Sequence, residues 1–436
     1  VKSVSYFLAD TTQSAVHEYA DLMHKGLAPF SSLPGFREFS AYAETLAGAT
    51  KMRGKPEFGI PGTQPEIIHS LPFCDLVHFA CEDASSKPSL LLVAPMSGHY
   101  ATLLRGTVQD LLPHFDVSVT DWKDARTVPL SAGRFDFHSY IDYCSEFIEQ
   151  LQPDTAMAIC QPGPALAAAL ALREQNGLAN PRSAIFMGSP IDARVSPTAV
   201  TKLAQKQSLD WFEKNLIQTV PLTYPGAGRK VYPGRTQLGS FMLMNAETHA
   251  KKYREHVENI ANRNVAAVDA HNKFYDEYLA VLDLTAEFYL QTVKTVFQDF
   301  SLPKGTLMHN GQLVDLGRIT KTGVMVVEGE KDDISAVGQN LALLELCSGL
   351  QSFEREYELV PGVGHYGIFN GKKFRTQVVG AVSAFAHKMS MHNSGLFMRR
   401  ERGRAYPASP THPVGFCCSA DQPIRRGLVR TGAQPA

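Results

Sequence analysis

Apolar, strand-like runs alternate with helical patterns in two separate stretches of this chain, about 66–190 and 301–390. That alternation predicts an α/β fold: a parallel-type sheet with helices on both faces. The intervening 191–300 carries long helical patterns and few strand signals, as expected of a mainly helical cap inserted into one interrupted sheet. A gap of that length without structure of its own would be improbable in a compact domain.

The elements follow in order. Residues 1–60 read as amphipathic helix, with Val16, Tyr19, Leu22 and Met23 at helical spacing, closed by Gly59-Ile-Pro-Gly. Ser89–Ala94 is a continuous apolar run, the mark of a buried parallel strand. The loop Pro95–Tyr100 and a helix over Thr102–Leu112 follow it. Phe115–Thr120 is a strand, and Phe137–Leu151 a helix with Tyr140, Cys144, Phe147 and Leu151 on one face. Thr155–Ile159 is a strand, Pro164–Gln175 a helix opened by proline, and Ser183–Met187 a strand. In the cap, Asn245–Asn262 and Phe274–Phe300 read as helices. The sheet resumes with Gly323–Glu328, a helix over Ala336–Cys347, the strand Glu354–Leu359 and a closing helix over Gln377–Met389. Residues 391–436 hold seven Arg, no Lys, two acids, five Pro and five Gly, the composition of a disordered basic tail.

Composition narrows the function. Of 436 residues, 42 are Lys or Arg and 43 are Asp or Glu, a net charge of −1 without the basic excess of a nucleic-acid binder. No apolar run approaches the ~18 residues of a membrane span. The first ten residues lack the apolar stretch of a secretory signal. Seven scattered cysteines read as reduced thiols. Neither Cys-x-x-Cys nor His-Glu-x-x-His occurs, so no zinc site and no other metal is expected.

Three segments carry chemistry. The strand Thr155–Ile159 ends in Cys160-Gln-Pro-Gly-Pro, and a helix begins within four residues. A strained strand–turn–helix is where an α/β hydrolase holds its nucleophile. The usual Gly-x-Ser-x-Gly is degenerate here, with Ala158, Cys160 and Pro162 at its three fixed positions. By itself Cys160 reads as readily as a buried structural thiol. Beyond the strand Gly323–Glu328, Gly-Glu-Lys-Asp332-Asp333-Ile offers a carboxylate able to orient a histidine. The spacing favours Asp332, although a helix cap would explain the pair too. Beyond the last strand, His365 sits among glycines in Gly-Val-Gly-His-Tyr-Gly. That stretch also spells Gly-x-Gly-x-x-Gly, but it lies late and no acid follows about 20 residues on, so no dinucleotide site is expected. Nucleophile, acid, histidine is the α/β-hydrolase order. The oxyanion donors expected are the Gln161 N–H and an N–H of the loop Met96-Ser97-Gly98.

The sequence resembles the intracellular polyhydroxyalkanoate (polyhydroxybutyrate, PHB) depolymerases, α/β-hydrolase proteins related to the polyhydroxyalkanoate synthases. The resemblance rests on Lys55-Pro-Glu-Phe-Gly-Ile, Thr120-Asp-Trp-Lys-Asp-Ala-Arg-Thr-Val-Pro, Ile159-Cys-Gln-Pro, Met187-Gly-Ser-Pro-Ile-Asp-Ala-Arg, Ser196-Pro-Thr and Glu328-Gly-Glu-Lys-Asp-Asp-Ile with Gly338-Gln339. It implies hydrolysis of 3-hydroxybutyrate esters in storage polymer or its oligomers. It also implies Cys160, His365 and Asp332 as the triad, no cofactor, and a cytoplasmic place on polymer granules, with room for a homo-oligomer. Two rival readings follow: a synthase-like acyl transferase, which would more often carry Gly-x-Cys-x-Gly, and an inert granule-binding protein.

Overall fold

The computed structural model describes residues 2–393 apart from 31, 34, 82–85 and 245. Almost all of the basic tail, with Cys417 and Cys418, lies outside the described residues.

Eight strands form the main sheet: β1 (Gln64–Leu71), β2 (Cys74–Ala80), β3 (Ser89–Val93), β4 (Asp116–Trp122), β5 (Thr155–Ile159), β6 (Ser183–Met187), β7 (Gly323–Gly329) and β8 (Arg355–Val360). Their order is β1-β2-β4-β3-β5-β6-β7-β8. β2 runs antiparallel to both β1 and β4, and the other pairs are parallel. Every residue of β5, β6 and β7 is buried, which is why these strands read as unbroken apolar runs. The β1–β2 hairpin is not legible that way. Gln64–Leu71 is exposed over most of its length and carries Pro65, which only an edge strand tolerates.

Helices pack on the sheet as the alternation requires, with differences at several ends. The helix expected over Thr102–Leu112 opens as a tight 3-10 turn, Ala101–Leu104, before the α-helical Arg105–Leu111. Ala336–Cys347 is mostly irregular, with α-helix only over Ala342–Leu346. The reason is Glu328, fully buried at the end of β7. Its carboxylate accepts from the Gly338, Asn340 and Leu341 N–H groups at 2.9–3.0 Å and so withdraws those donors from a helix ladder. The closing helix, Val379–Asn393, follows a wider π-type turn over Phe374–Val378.

The insertion between β6 and β7 is mainly helical. Helices Ala199–Lys206, Leu209–Leu216, Gly234–Met244, Ala246–Ala261 and Val265–Tyr278 enclose a small antiparallel ribbon, Gln218–Thr219, Lys230–Tyr232 and Leu284–Thr285. Phe274–Phe300 is therefore not one helix. The chain leaves the helical path after Tyr278 because Leu282 N–H donates to Gly98 O (2.8 Å). It re-enters at Ala286, with Thr285 as N-cap. His249 and His256 are buried inside this cap, not on its surface.

At the N-terminus, α1 (Lys2–Leu27) and α2 (Phe36–Thr50) pair, with His17 Nδ1 against Ala47 O at 2.9 Å. Small residues make the joint: α2 buries Ala41, Ala43 and Ala47, and Ala41 packs on Val257 and Ala261 of the cap. The stripe of Val16, Tyr19 and Leu22 faces outward instead. α1 is fixed at its other end by Tyr6, whose hydroxyl donates to Asp283 (2.5 Å). Asp283 also accepts from Gly234 N–H, and its own N–H donates to Asp124, which is paired with Arg126 (2.7 Å).

Candidate active site

β5 delivers Cys160 into a left-handed backbone conformation, φ +67°, its N–H bonded to Met187 O at 2.7 Å. For a non-glycine residue that conformation costs about 1–3 kcal/mol, and it is kept where the surroundings force it. The turn closes with Gly163 N–H on Cys160 O (3.2 Å), and the helix Gly163–Gln175 begins there. The degenerate elbow box now has a physical account. A side chain at Gly163 would place its Cβ 2.3 Å from Ser189 Cβ. The glycine that lets strand and helix approach therefore lies three residues after Cys160, not two. Gly163, with Ala158, thus supplies the small residues that the degenerate box around Cys160 lacks at position 162.

Asp332 and His365 meet beside this turn. His365 Nδ1 lies 2.7 Å from Asp332 Oδ2, both side chains being almost completely buried. Asp332 Oδ1 accepts from the Ile334 and Ser335 N–H groups, each at 2.9 Å, which fixes the carboxylate's rotation. Asp333 is exposed. His365 opens a 3-10 turn, His365–Ile368, and lies close enough to Cys160 for the two side chains to influence each other's charge. Burial alone would favour neutral imidazole. Interaction with Cys160 and the hydrogen bond to Asp332 outweigh it and raise the His365 pKa to about 10.

Two further residues position this pair, and both lie in stretches that carry the family resemblance without a role of their own being readable there. Gly188, at φ +54°, leaves room for it: an added Cβ would lie 3.1 Å from His365 Cε1, 3.2 Å from Asp332 Oδ2 and 2.7 Å from Ile368. Glu328 anchors the loop that presents Asp332, and it also accepts from Tyr357 hydroxyl at 3.0 Å. A glutamate ending an apolar strand looks like a solvated residue in sequence, so this role was not legible.

The loop after β3 reaches the same place. Met96 N–H donates to the side-chain Oε1 of Gln161 at 3.1 Å. Of the expected oxyanion donors, Met96 is thus already engaged, while the N–H groups of Gln161 and Ser97 have no partner among the described residues. The cap covers this loop. His99 Nε2 lies 3.1 Å from Tyr278 O, and its burial lowers the pKa to about 4, so it is neutral at physiological pH. Burial raises the Tyr366 pKa, and the nearness of Tyr278 and Cys160 adds to that rise.

Among the described residues, no group of three or more His, Cys, Asp or Glu side chains is arranged to hold a metal ion. No described helix is long and apolar enough to cross a membrane.

Several solved structures are similar at low identity. A Paleococcus ferrophilus monoacylglycerol lipase is 13% identical, covering 69% of this chain and 96% of its own, with TM-score 0.40. Carboxyl esterase 2 from the mycorrhizal fungus Tuber melanosporum is 12% identical, covering 77% and 89%, with TM-score 0.39. The α/β hydrolase GrgF from Penicillium sp. sh18 is 13% identical, covering 75% and 98%, with TM-score 0.41. No curated protein sequence matches. The family described as PHB de-polymerase C-terminus matches residues 188–390. That match opens at the glycine beneath His365, takes in the whole insertion together with Asp332 and His365, and ends in the closing helix. Residues 188–390 therefore carry the likeness to the PHB depolymerase C-terminal domain, on a sheet whose strand order is of α/β-hydrolase type, and the two together support a carboxylic ester hydrolase.

Proposed function

We propose that this protein hydrolyses 3-hydroxybutyrate ester bonds in intracellular PHB or its oligomers, through a covalent acyl-enzyme on Cys160. The observation that carries this reading is one imidazole with Asp332 at 2.7 Å on Nδ1 and Cys160, at the strained end of β5, close enough to bear on its charge. His365 takes the thiol proton, and the sulfur attacks the ester carbonyl, forming a C–S bond and an oxyanion. The oxyanion collapses, the C–O bond breaks, and the leaving alkoxide takes its proton from His365. Water then gives a proton to His365 and attacks the thioester, releasing the free acid and restoring the thiol. Asp332 holds the tautomer and stabilises the imidazolium throughout. The site of action is the surface of polymer granules in the cytoplasm. Tyr278 and Tyr366 supply an apolar approach suited to a water-insoluble chain, although Tyr366 is itself partly exposed.

The test is release of 3-hydroxybutyrate from amorphous granules and from soluble oligomers by the purified protein. Release from both is expected. Polymer growth from a hydroxyacyl thioester without release would make the chain a synthase-like transferase, and neither activity would make it a binding protein.

A further inference from the structure

The residue after Cys160 has a side chain with one end satisfied and the other not. Gln161 Oε1 accepts from Met96 N–H at 3.1 Å, whereas Gln161 Nε2 is buried with no hydrogen-bond partner. A backbone N–H can only donate, so its contact settles which end of the amide is oxygen and which is nitrogen. The two N–H bonds of Nε2 are therefore buried and unused, at a residue whose backbone N–H is free as well. A buried donor without an acceptor is unfavourable, and an interior keeps one when a ligand supplies the missing oxygen.

We propose that the Gln161 side-chain amide is itself an oxyanion donor, presenting Nε2 to the substrate carbonyl oxygen alongside the Gln161 backbone N–H. Met96 then acts at one remove: its N–H holds the amide in place and polarises it toward stronger donation. This rests on Cys160 being the nucleophile of the proposed reaction. It gives the Cys-Gln pair a chemical reason. In a usual elbow the loop N–H meets the oxyanion directly; here a glutamine stands between them. The charge developing on the oxygen as the C–S bond forms is then met by a donor already fixed before substrate arrives.

Gln161→Glu is the discriminating variant, because it keeps an oxygen for Met96 N–H and replaces only the NH₂. With soluble 3-hydroxybutyrate oligomers, kcat at pH 8 should fall about 10²-fold or more with KM little changed. Affinity for a trifluoromethyl ketone analogue, whose adduct carries the oxyanion, should fall by a similar factor. Relative to the native protein, the variant should recover as pH drops, because a protonated carboxyl regains an O–H donor. Activity within threefold of native, with no such recovery, would mean that the amide only supports the Met96 loop. Higher activity in Gln161→Ala would mean that the amide blocks the Met96 N–H as a placeholder. Should the Glu variant fail a thermal-melting check, Gln161→Met tests the same donor without a charge. The acyl-enzyme burst with p-nitrophenyl butyrate is measured in parallel. A native burst without oligomer release would overturn the polyester reading and still test the donor.

Discussion

Asp332 and Asp124 both follow sheet strands and are both buried, yet they live in opposite conditions. Asp332 has both carboxylate oxygens satisfied by donors. One of its oxygens takes two backbone N–H groups and the other takes a histidine. Asp124 lies against Asp283, and burial together with that like charge pushes its pKa up to about 6 despite Arg126. Asp283 is raised as well, chiefly by burial, and Tyr6 of α1 donates to it. One arrangement orients a neighbour; the other fastens the N-terminal helix and the cap around a repulsive pair. Burial of a carboxylate therefore does not identify chemistry. What marks the catalytic candidate is a single oriented partner that can pass a proton onward.

The sharpest way to break the comparison is to remove the group that gives its proton to His365. Cys160→Ala should lower turnover at least ~10³-fold while the protein stays folded, since truncating a thiol removes little volume. Substantial remaining hydrolysis would move the nucleophile elsewhere. Next, Asp332→Asn should lower kcat by about 10³–10⁴-fold, because an amide permits the wrong tautomer. Asp333→Asn should stay within about twofold; comparable losses from the two would remove the distinction between them. Gly188→Ala is expected to lie between these, at ~10-fold or more in kcat. Its methyl would meet Ile368 and crowd His365, at a left-handed backbone position. Full activity there would show that the pair tolerates displacement.

The smallest effect is in stability, and it separates the two regions by pH. Asp124 binds its proton more tightly folded than unfolded, so its contribution weakens as pH rises from about 4 to about 6. His365 is raised to about 10, so its contribution is complete below about 6.5 and is lost as pH rises through about 10. Melting temperature against pH should lose its lower slope in Asp124→Asn and its upper slope in His365→Asn. One variant removing both slopes would mean that the regions are not independent.

The contrast also explains what was legible in the sequence. Buried parallel strands announce themselves as apolar runs, and the three chemical residues lie just past the ends of β5, β7 and β8, so the fold and the candidate triad could be read together. The β1–β2 hairpin could not, because its outer strand lacks a buried face. The break after Tyr278 was hidden because its cause, a hydrogen bond to Gly98, lies about 180 residues away. Glu328 and Asp283 were passed over for one reason: a carboxylate satisfied by distant backbone and hydroxyl donors has no local pattern. The outward stripe on α1 misled in the other direction, since helical spacing reports an amphipathic face without saying what covers it.

Leu282 and Asp283 are adjacent in the cap, and each is tied to a different part of the molecule. Leu282 N–H grips Gly98 in the loop that carries Met96, while Asp283 holds Tyr6 of the first helix and, through its own N–H, Asp124 beside the sheet. Two adjacent residues therefore work as a rivet through three plates. Force applied to the N-terminal helix, as when a protein presses against a solid surface, is delivered one residue from the backbone that lines the cleft. Such a rivet leaves the cap little freedom to swing independently of the loop beneath it.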